Sequence, residues 1–259
     1  MKKTILSFQQ TLLLENLITA YGRVVTHQQI YQQAHIIKSS WQVKKDITKL
    51  VSNGWLRRIK RGLYVICDLT NRGFLSLSPY VIANLIQPNS YVSFELALAY
   101  HNMFDQLNNK VISISPAVQK NITLNEMKYD FISTQKKYYF GWQKVIVDDH
   151  TAQIATIEKA LIDMIQFHRS QYSIDLVIEK MQQYQTMIDT ERLCDYASQM
   201  SVSTIKILGV ISDLLKRDTT QLYNQAKINR STHWMFAQDK KFNSKWRLYY
   251  NPYFDQYQT

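Results

Sequence analysis

Residues 55–66 read Trp-Leu-Arg-Arg-Ile-Lys-Arg-Gly-Leu-Tyr-Val-Ile. Strand-forming residues lie on both sides of Arg61-Gly62, a pattern typical of a hairpin with a tight turn. The first strand and the turn together carry four cations: Arg57, Arg58, Lys60 and Arg61. A small hairpin with so much charge has little to gain in a hydrophobic core and much to gain beside a phosphate backbone.

Three helical patterns precede the hairpin. The first covers residues 5–20, with one apolar stripe and Gly22 as its end; the stripe comprises Ile5, Phe8, Leu12, Leu13, Leu17 and Ile18. The second begins with a capping box from Thr26 to Gln29 and runs to about Ala34. The third is capped by Ser39 or Ser40 and ends at Asn53-Gly54. Together with the hairpin, these helices predict a winged helix-turn-helix over residues 1–75.

The third helix has two distinct faces at about 100° per residue. Its inner face is apolar and comprises Val43, Ile47, Leu50 and Val51. The outer face is cationic and polar, as expected of a helix that enters the major groove of DNA, where lysines contact phosphates or guanine, glutamine an adenine and threonine a thymine methyl. The predicted DNA-binding residues are Ser40, Trp41, Gln42, Lys44, Lys45, Thr48 and Lys49 on the helix and Arg57, Arg58, Lys60 and Arg61 on the hairpin.

The distribution of charge divides the chain into two parts. The 259 residues carry a formal net charge of +11. Residues 1–75 hold 12 Lys/Arg and 3 Asp/Glu, whereas residues 76–259 hold 19 and 17. A solvated surface rich in lysine would spread its charge evenly, so the asymmetry favours an anionic partner for the first part.

Residues 76–259 are predicted to form a mixed α/β domain with a helical second half, which makes the whole chain α+β. Helices are expected near 76–87, 93–100, 173–184, 190–200, 204–217 and 219–227, and Thr156 is expected to cap a further long helix that contains Ala160, Leu161, Met164 and Ile165. Strands are expected at 111–115, in parts of 122–134 and 137–147, and at 245–250.

Three segments in this order resemble the AbiEi antitoxins of type IV toxin–antitoxin systems, found in bacterial phage-defence (abortive infection) loci. They are Gly54 to Tyr64, similar to the family's wing; Tyr91-Val92-Ser93 with Ala97-Leu98 and His101; and Ala155 to Asp163, close to its Ala-Thr-Pro-Glu-Lys-Ala-Leu-x-Asp signature. The chain departs from the family at Ile157, where proline is usual, at Asn102, where glycine is usual, and at Glu95-Leu96, where small residues are common.

The resemblance implies a concrete function. Such antitoxins bind inverted repeats in their own promoter, repress the operon, and counteract a nucleotidyltransferase-like toxin without a stable complex. It also implies that residues 76–259 form the antitoxin domain. Since no segment shows a heptad seam, we expect a monomer in solution that pairs on double-stranded DNA.

No pattern in the sequence indicates an enzyme. The six histidines have no metal-ligand spacing, and no phosphate-binding glycine loop occurs, so we expect no catalytic residue, cofactor or metal. For Asp148-Asp149 and Glu158-Lys159 we expect surface and cap roles, with Glu158 and Asp163 serving their helix and its neighbours. Two distant cysteines and the lack of a signal peptide or membrane span predict a cytoplasmic protein.

Two other classes of function remain open. One is a one-component regulator whose second domain senses a small ligand, which a deep polar pocket in residues 76–259 would favour. The other is a DNA-processing enzyme, which would require carboxylates that converge on a metal.

Overall fold

The computed structural model describes residues 5–35, 39–70 and 72–258, without the side chains of His35 and Ser40. The first unit has the order α1 (Phe8–Tyr21), β1 (Val24–Thr26), α2 (His27–His35), α3 (Ser40–Ser52), β2 (Leu56–Lys60) and β3 (Leu63–Ile66). Its three strands form an antiparallel sheet in the order β1-β3-β2.

The local signals that begin and end α2, α3 and the hairpin are confirmed. The Thr26 backbone N–H donates to Gln29 Oε1 at 2.7 Å, and the Gln29 N–H donates to Thr26 Oγ1 at 3.2 Å, which completes the predicted capping box. Ser39 is the N-cap of α3. Gly54 and Gly62 have φ of +81° and +78°, a region that glycine adopts without steric cost.

The predicted apolar stripe of α1 is wrong in part. The buried residues are Leu13, Leu14 and Leu17, whereas Ile5 and Phe8 are 87% and 81% exposed. One reason is that Ser7 caps the helix, so that Ile5 precedes it. The other is that leucines occupy three consecutive positions, so periodicity alone does not select the buried face.

The second unit begins with a six-stranded mixed sheet in the order β6-β7-β5-β4-β9-β8. Parallel pairs join β4 to β9 and β5 to β7, and the other neighbours are antiparallel. Its elements are α4 (Pro79–Ile86), β4 (Tyr91–Val92), α5 (Phe94–Tyr100), β5 (Lys110–Ser115), β6 (Ile122–Leu124), β7 (Met127–Ser133), β8 (Trp142–Val147) and β9 (His150–Ala155).

Helices dominate the rest of the chain, which confirms the mixed α+β class. The elements are α6 (Ile157–Phe167), α7 (Gln171–Gln183), α8 (Thr190–Ser198), α9 (Val202–Leu214), α10 (Thr220–Ala226) and a small sheet of β10 (His233–Trp234), β11 (Lys241–Asn243) and β12 (Leu248–Tyr250). Among the described residues, none of the helices is both long and apolar enough to cross a membrane.

Two hydrophobic cores lie on opposite sides of the β2–β3 hairpin. Leu56, Tyr64 and Ile66 belong to a small core with α1, α2 and α3, whereas Ile59 and Val65 belong to the large core of the second unit. All five side chains are at most 8% exposed. The expectation that this hairpin gains little from a core is therefore wrong, because alternate residues of β3 face opposite directions and both faces are covered.

A buried ion pair lies at the centre of the large core. Lys159 and Asp163, one turn apart on α6, are fully buried, and the Lys159 ammonium contacts the Asp163 carboxylate. Tyr91 and Ser93 donate hydroxyl hydrogen bonds to Asp163 Oδ2 at 3.1 and 2.8 Å. Burial raises the pKa of the Asp163 carboxyl, and the Lys159 ammonium acts in the opposite direction.

Aromatic rings surround the same ammonium. Lys159 Nζ lies 5.4 Å from the ring centre of Tyr91, 4.8 Å from that of Phe140 and 5.8 Å from that of Phe167. A Cβ atom at Gly141 would come within 2.9 Å of the Lys159 side chain. The loop before β8 can therefore close over Lys159 only because residue 141 is glycine.

We predict that Lys159→Met lowers the free energy of unfolding by about 3–5 kcal/mol, because Asp163 is left as an uncompensated buried charge. Chemical denaturation of the full chain measures the loss. Lys144→Met removes an exposed lysine of β8 as the matched control, and its effect should stay within about 0.5 kcal/mol. Equal stability of the two variants would contradict the structural role of the pair.

Candidate functional site

The outer face of α3 is solvent-exposed over its length, as the sequence predicts. Val43, Ile47 and Leu50 are buried in the small core and anchor the helix. Opposite them, Trp41 is 68% exposed although it is a large aromatic residue. The described exposed residues of this face are Trp41, Gln42, Lys44, Lys45, Thr48 and Lys49.

Contacts within the helix orient part of this face. Lys45 Nζ lies 4.9 Å from the ring centre of Trp41, so the cation and the ring form one surface feature. The Thr48 hydroxyl donates to the Lys44 carbonyl oxygen at 3.0 Å. The hydroxyl of Thr48 is thus engaged with the helix, and its methyl group is the part that remains for an external contact.

Gln42 takes part in the helix cap. Its Oε1 accepts hydrogen bonds from the Ser39 backbone N–H and the Ser39 hydroxyl, both at 3.1 Å. A bidentate contact with adenine uses both the oxygen and the nitrogen of the amide, so Gln42 would have to give up these bonds to make it. The side chain of Ser40, also predicted to bind DNA, lies outside the described residues.

The four hairpin cations fall into two pairs. Arg58 and Arg61 are exposed. Arg57 donates a hydrogen bond to Asn125 Oδ1, in the turn between β6 and β7. Lys60 Nζ donates to the Ile86 carbonyl oxygen at 3.0 Å, at the end of α4, and burial lowers the pKa of Lys60. Arg57 and Lys60 therefore fasten the hairpin to the second unit, and Arg58 and Arg61 face solvent.

The hairpin turn is also fixed to the helical part of the first unit. The His27 N–H, at the start of α2, donates to the Gly62 carbonyl oxygen at 2.8 Å. Thus the cationic outer face of α3 and the exposed arginines of the hairpin belong to one rigidly connected unit. Its described exposed cations are Lys44, Lys45, Lys49, Arg58 and Arg61, together with Arg23, which pairs with Asp68. Such a surface attracts a polyanion and can form charge-assisted hydrogen bonds with phosphate oxygens.

No pattern in the sequence indicates Asn125 and Ile86 as partners of the hairpin. They lie 68 and 26 residues from the cations that they hold, and one of them contributes only a backbone carbonyl. Pairing over such separations is decided by the tertiary fold, which composition and periodicity do not encode.

The carboxylates of Asp148, Asp149 and Glu158 have structural roles. Asp148 and Asp149 form the two-residue turn between β8 and β9, with φ of +49° and +58°, as in a type I′ turn. The expectation of a surface role for Glu158-Lys159 is wrong, since both are buried; Glu158 accepts a hydrogen bond from the Asp189 N–H at 3.0 Å and pairs with Arg192. Among residues 5–35, 39–70 and 72–258, no three His, Cys, Asp or Glu side chains converge in a way that could hold a metal ion.

Comparison with known proteins shows a similar fold. No protein-family model matches the chain, and no curated protein matches its sequence. The crystal structure of the RV2827C protein from Mycobacterium tuberculosis is similar, with a TM-score of 0.67 and 11% sequence identity over 96% of this chain and 93% of that chain. At this identity, the similarity concerns the fold alone.

We predict that Gln42→Ala destabilises the protein by about 0.5–1 kcal/mol, because α3 loses the acceptor that caps its first turn. Gln42→Glu keeps an acceptor at the same place and adds a favourable interaction with the helix dipole, so its stability should equal or exceed that of the wild type. Thermal or chemical denaturation checks both variants. If both lose stability equally, the cap contributes nothing measurable.

Proposed function

We propose that residues 5–66 form a winged helix-turn-helix that binds double-stranded DNA. The order α1-β1-α2-α3-β2-β3 with the sheet order β1-β3-β2 supports this interpretation, because it sets two helices and a hairpin side by side. The observation that carries the proposal is the exposed cationic face of α3, which shares one packed unit with the exposed Arg58 and Arg61. A helix that only supports the fold needs no more than a polar outer face. The outer face of α3 carries three lysines and, in addition, an exposed tryptophan.

In the proposed complex α3 enters the major groove. Lys44, Lys45 and Lys49 contact phosphates or guanine, and the free methyl group of Thr48 contacts a thymine methyl. Arg58 and Arg61 contact the phosphate backbone beside the groove. Arg57 and Lys60 set the position of the hairpin through their bonds to the second unit.

The biological role that we propose follows from the resemblance to the AbiEi antitoxins. The protein acts in the cytoplasm as an antitoxin that represses its own operon: two monomers meet on inverted repeats of the promoter. The second unit counteracts a nucleotidyltransferase-like toxin without a stable complex. The role requires no catalytic residue and no cofactor in this chain.

We predict that Arg58→Ala/Arg61→Ala weakens binding of the full-length protein to promoter and random duplexes alike. It should also lower the slope of log affinity against log salt by about 2, because two phosphate contacts are lost. Fluorescence anisotropy over a salt series measures both quantities. The matched control is Lys120→Ala/Lys144→Ala, which removes two exposed cations of the second unit.

Two outcomes of these binding measurements would contradict the proposed interface. If the control double variant loses as much affinity as the arginine variant, the binding is due to overall charge. Affinity of the wild type that does not fall with salt would contradict binding to the phosphate backbone altogether.

We also predict that repression and toxin neutralisation are separable. The Arg58→Ala/Arg61→Ala variant should fail to repress a reporter fused to its promoter, yet protect cells from the toxin when it is expressed from a foreign promoter. Growth and reporter assays in the same strain measure the two activities. Loss of both at equal protein level, or co-elution of the wild type with the toxin as a tight complex, would refute the proposed division.

One observation favours a second candidate, the one-component regulator with a ligand-sensing second unit. A partly polar cavity of about 220 Å³ lies in that unit beside Glu95.

A further inference from the structure

Glu95, the second residue of α5, is a buried acid without a partner. The residue is only 7% exposed. Among the described residues, no hydrogen-bond donor or cation lies within bonding distance of its carboxylate. A carboxylate in such a position loses part of its hydration, and the protein supplies no partner in exchange.

The carboxylate lines a cavity of about 220 Å³ between the segment after α5 and the start of α7. The walls combine aromatic rings with side-chain amides, and the main lining residues are Glu95, Phe104, Gln106, Asn108, His168 and Tyr172. Tyr172 is 51% exposed and lies at the opening. Burial and then the negative charge of Glu95 raise the pKa of Tyr172, which indicates that the carboxylate and the phenol are close.

The backbone is strained next to this carboxylate. Phe94 has φ of +58°, in the left-handed region that a bulky side chain rarely adopts. Its ring is fully buried and packs edge-on against His168, with 5.9 Å between the ring centres. Strain of this kind persists where the surroundings impose it, and it is frequent at binding sites.

The cation nearest to the cavity does not neutralise Glu95. Lys110 also lines the cavity, but its Nζ lies 2.9 Å from Asp130 Oδ2 on the neighbouring strand. The Asn108 Oδ1 accepts the Lys110 backbone N–H at 2.9 Å, which fixes the orientation of that amide. The uncompensated charge in the cavity is therefore negative, and it belongs to Glu95.

We propose that this cavity binds a guanidinium group, with Glu95 as its counter-ion. A guanidinium matches a carboxylate with two parallel N–H···O bonds, and its flat face stacks on aromatic rings such as Phe104 and Tyr172. The amide oxygen of Gln106 is a further acceptor in the lining for its remaining donors, whereas the Asn108 Oδ1 already accepts the Lys110 N–H. An ammonium is a compact, strongly hydrated charge that would use neither the planar fork nor the aromatic walls as fully.

Two sources can supply this group: a free small molecule, or an arginine side chain of another protein. The two differ in what surrounds the guanidinium, so agmatine and the blocked tripeptide acetyl-Ala-Arg-Ala-amide are suitable probes. Binding of agmatine alone assigns the cavity to small molecules. Binding of the tripeptide with equal or higher affinity assigns it to an arginine side chain.

Isothermal titration of the full-length protein with each probe tests the proposal. We expect saturable binding of at least one probe with a Kd of about 0.1–1 mM, and n-butylamine should bind at least tenfold more weakly. Glu95→Gln keeps the shape of the side chain and removes its charge, and should weaken binding at least tenfold. Glu191→Gln, which removes an exposed carboxylate of α8, should leave the Kd unchanged within twofold.

A second variant covers the case in which Glu95→Gln fails to fold. Tyr172→Leu removes an aromatic wall at a half-exposed position, so the fold should persist, and binding should weaken at least threefold. The melting temperature of each variant is the control for folding. The proposal is overturned if neither probe binds saturably up to about 10 mM, if butylamine binds as well as agmatine, or if the folded Glu95→Gln or Tyr172→Leu variant binds like the wild type.

Discussion

The contact between Lys159 and Asp163 is the constraint on which the second unit depends. A fully buried ion pair is costly to desolvate, and here the cost is offset by hydroxyl donors to Asp163 and aromatic faces around Lys159. Because the donors come from β4 and its end and the rings from other segments, the pair fixes α6 against the sheet. Glu158, the residue before Lys159, binds the start of α8 in the same manner. The central helix is thus positioned by directed polar contacts together with the apolar packing of its other side chains.

The first unit is stabilised in a different way, because both faces of its β2–β3 hairpin are buried. Its helices cover one face of β2 and β3, and the second unit covers the other. Arg57 and Lys60 add directed hydrogen bonds along the same border. In this way the positions of the exposed arginines of the hairpin are fixed relative to α3 and to the rest of the chain. Such preorganisation would serve the contacts with phosphates that we propose.

The parts that could be predicted from the sequence are those encoded over short distances. The capping box at Thr26, the end of α3 at Gly54 and the inner and outer faces of α3 depend on residues within four positions of one another, and the structure confirms them. β9 was not predicted, because its six residues include a histidine, a threonine and a glutamine and show no apolar run; it is a strand because it lies between β4 and β8.

Contacts between residues that are distant in the sequence explain why some predictions of exposure are wrong. Charge predicts exposure when a residue is considered alone, and on that basis Glu158, Lys159 and Lys60 were expected at the surface. Each is withdrawn from solvent by a partner elsewhere in the fold, such as the carboxylate of Asp163 or the carbonyl of Ile86. The exposure of the candidate residues was therefore predicted correctly on α3, where the helix period governs it, and less well on the hairpin, where two of the four cations bind the second unit.

A domain that folds alone covers its own apolar core. The hairpin of the first unit does not, because Ile59 and Val65 are covered by the second unit. Separating the two units would expose both side chains to water, so the first unit is not a complete domain by itself.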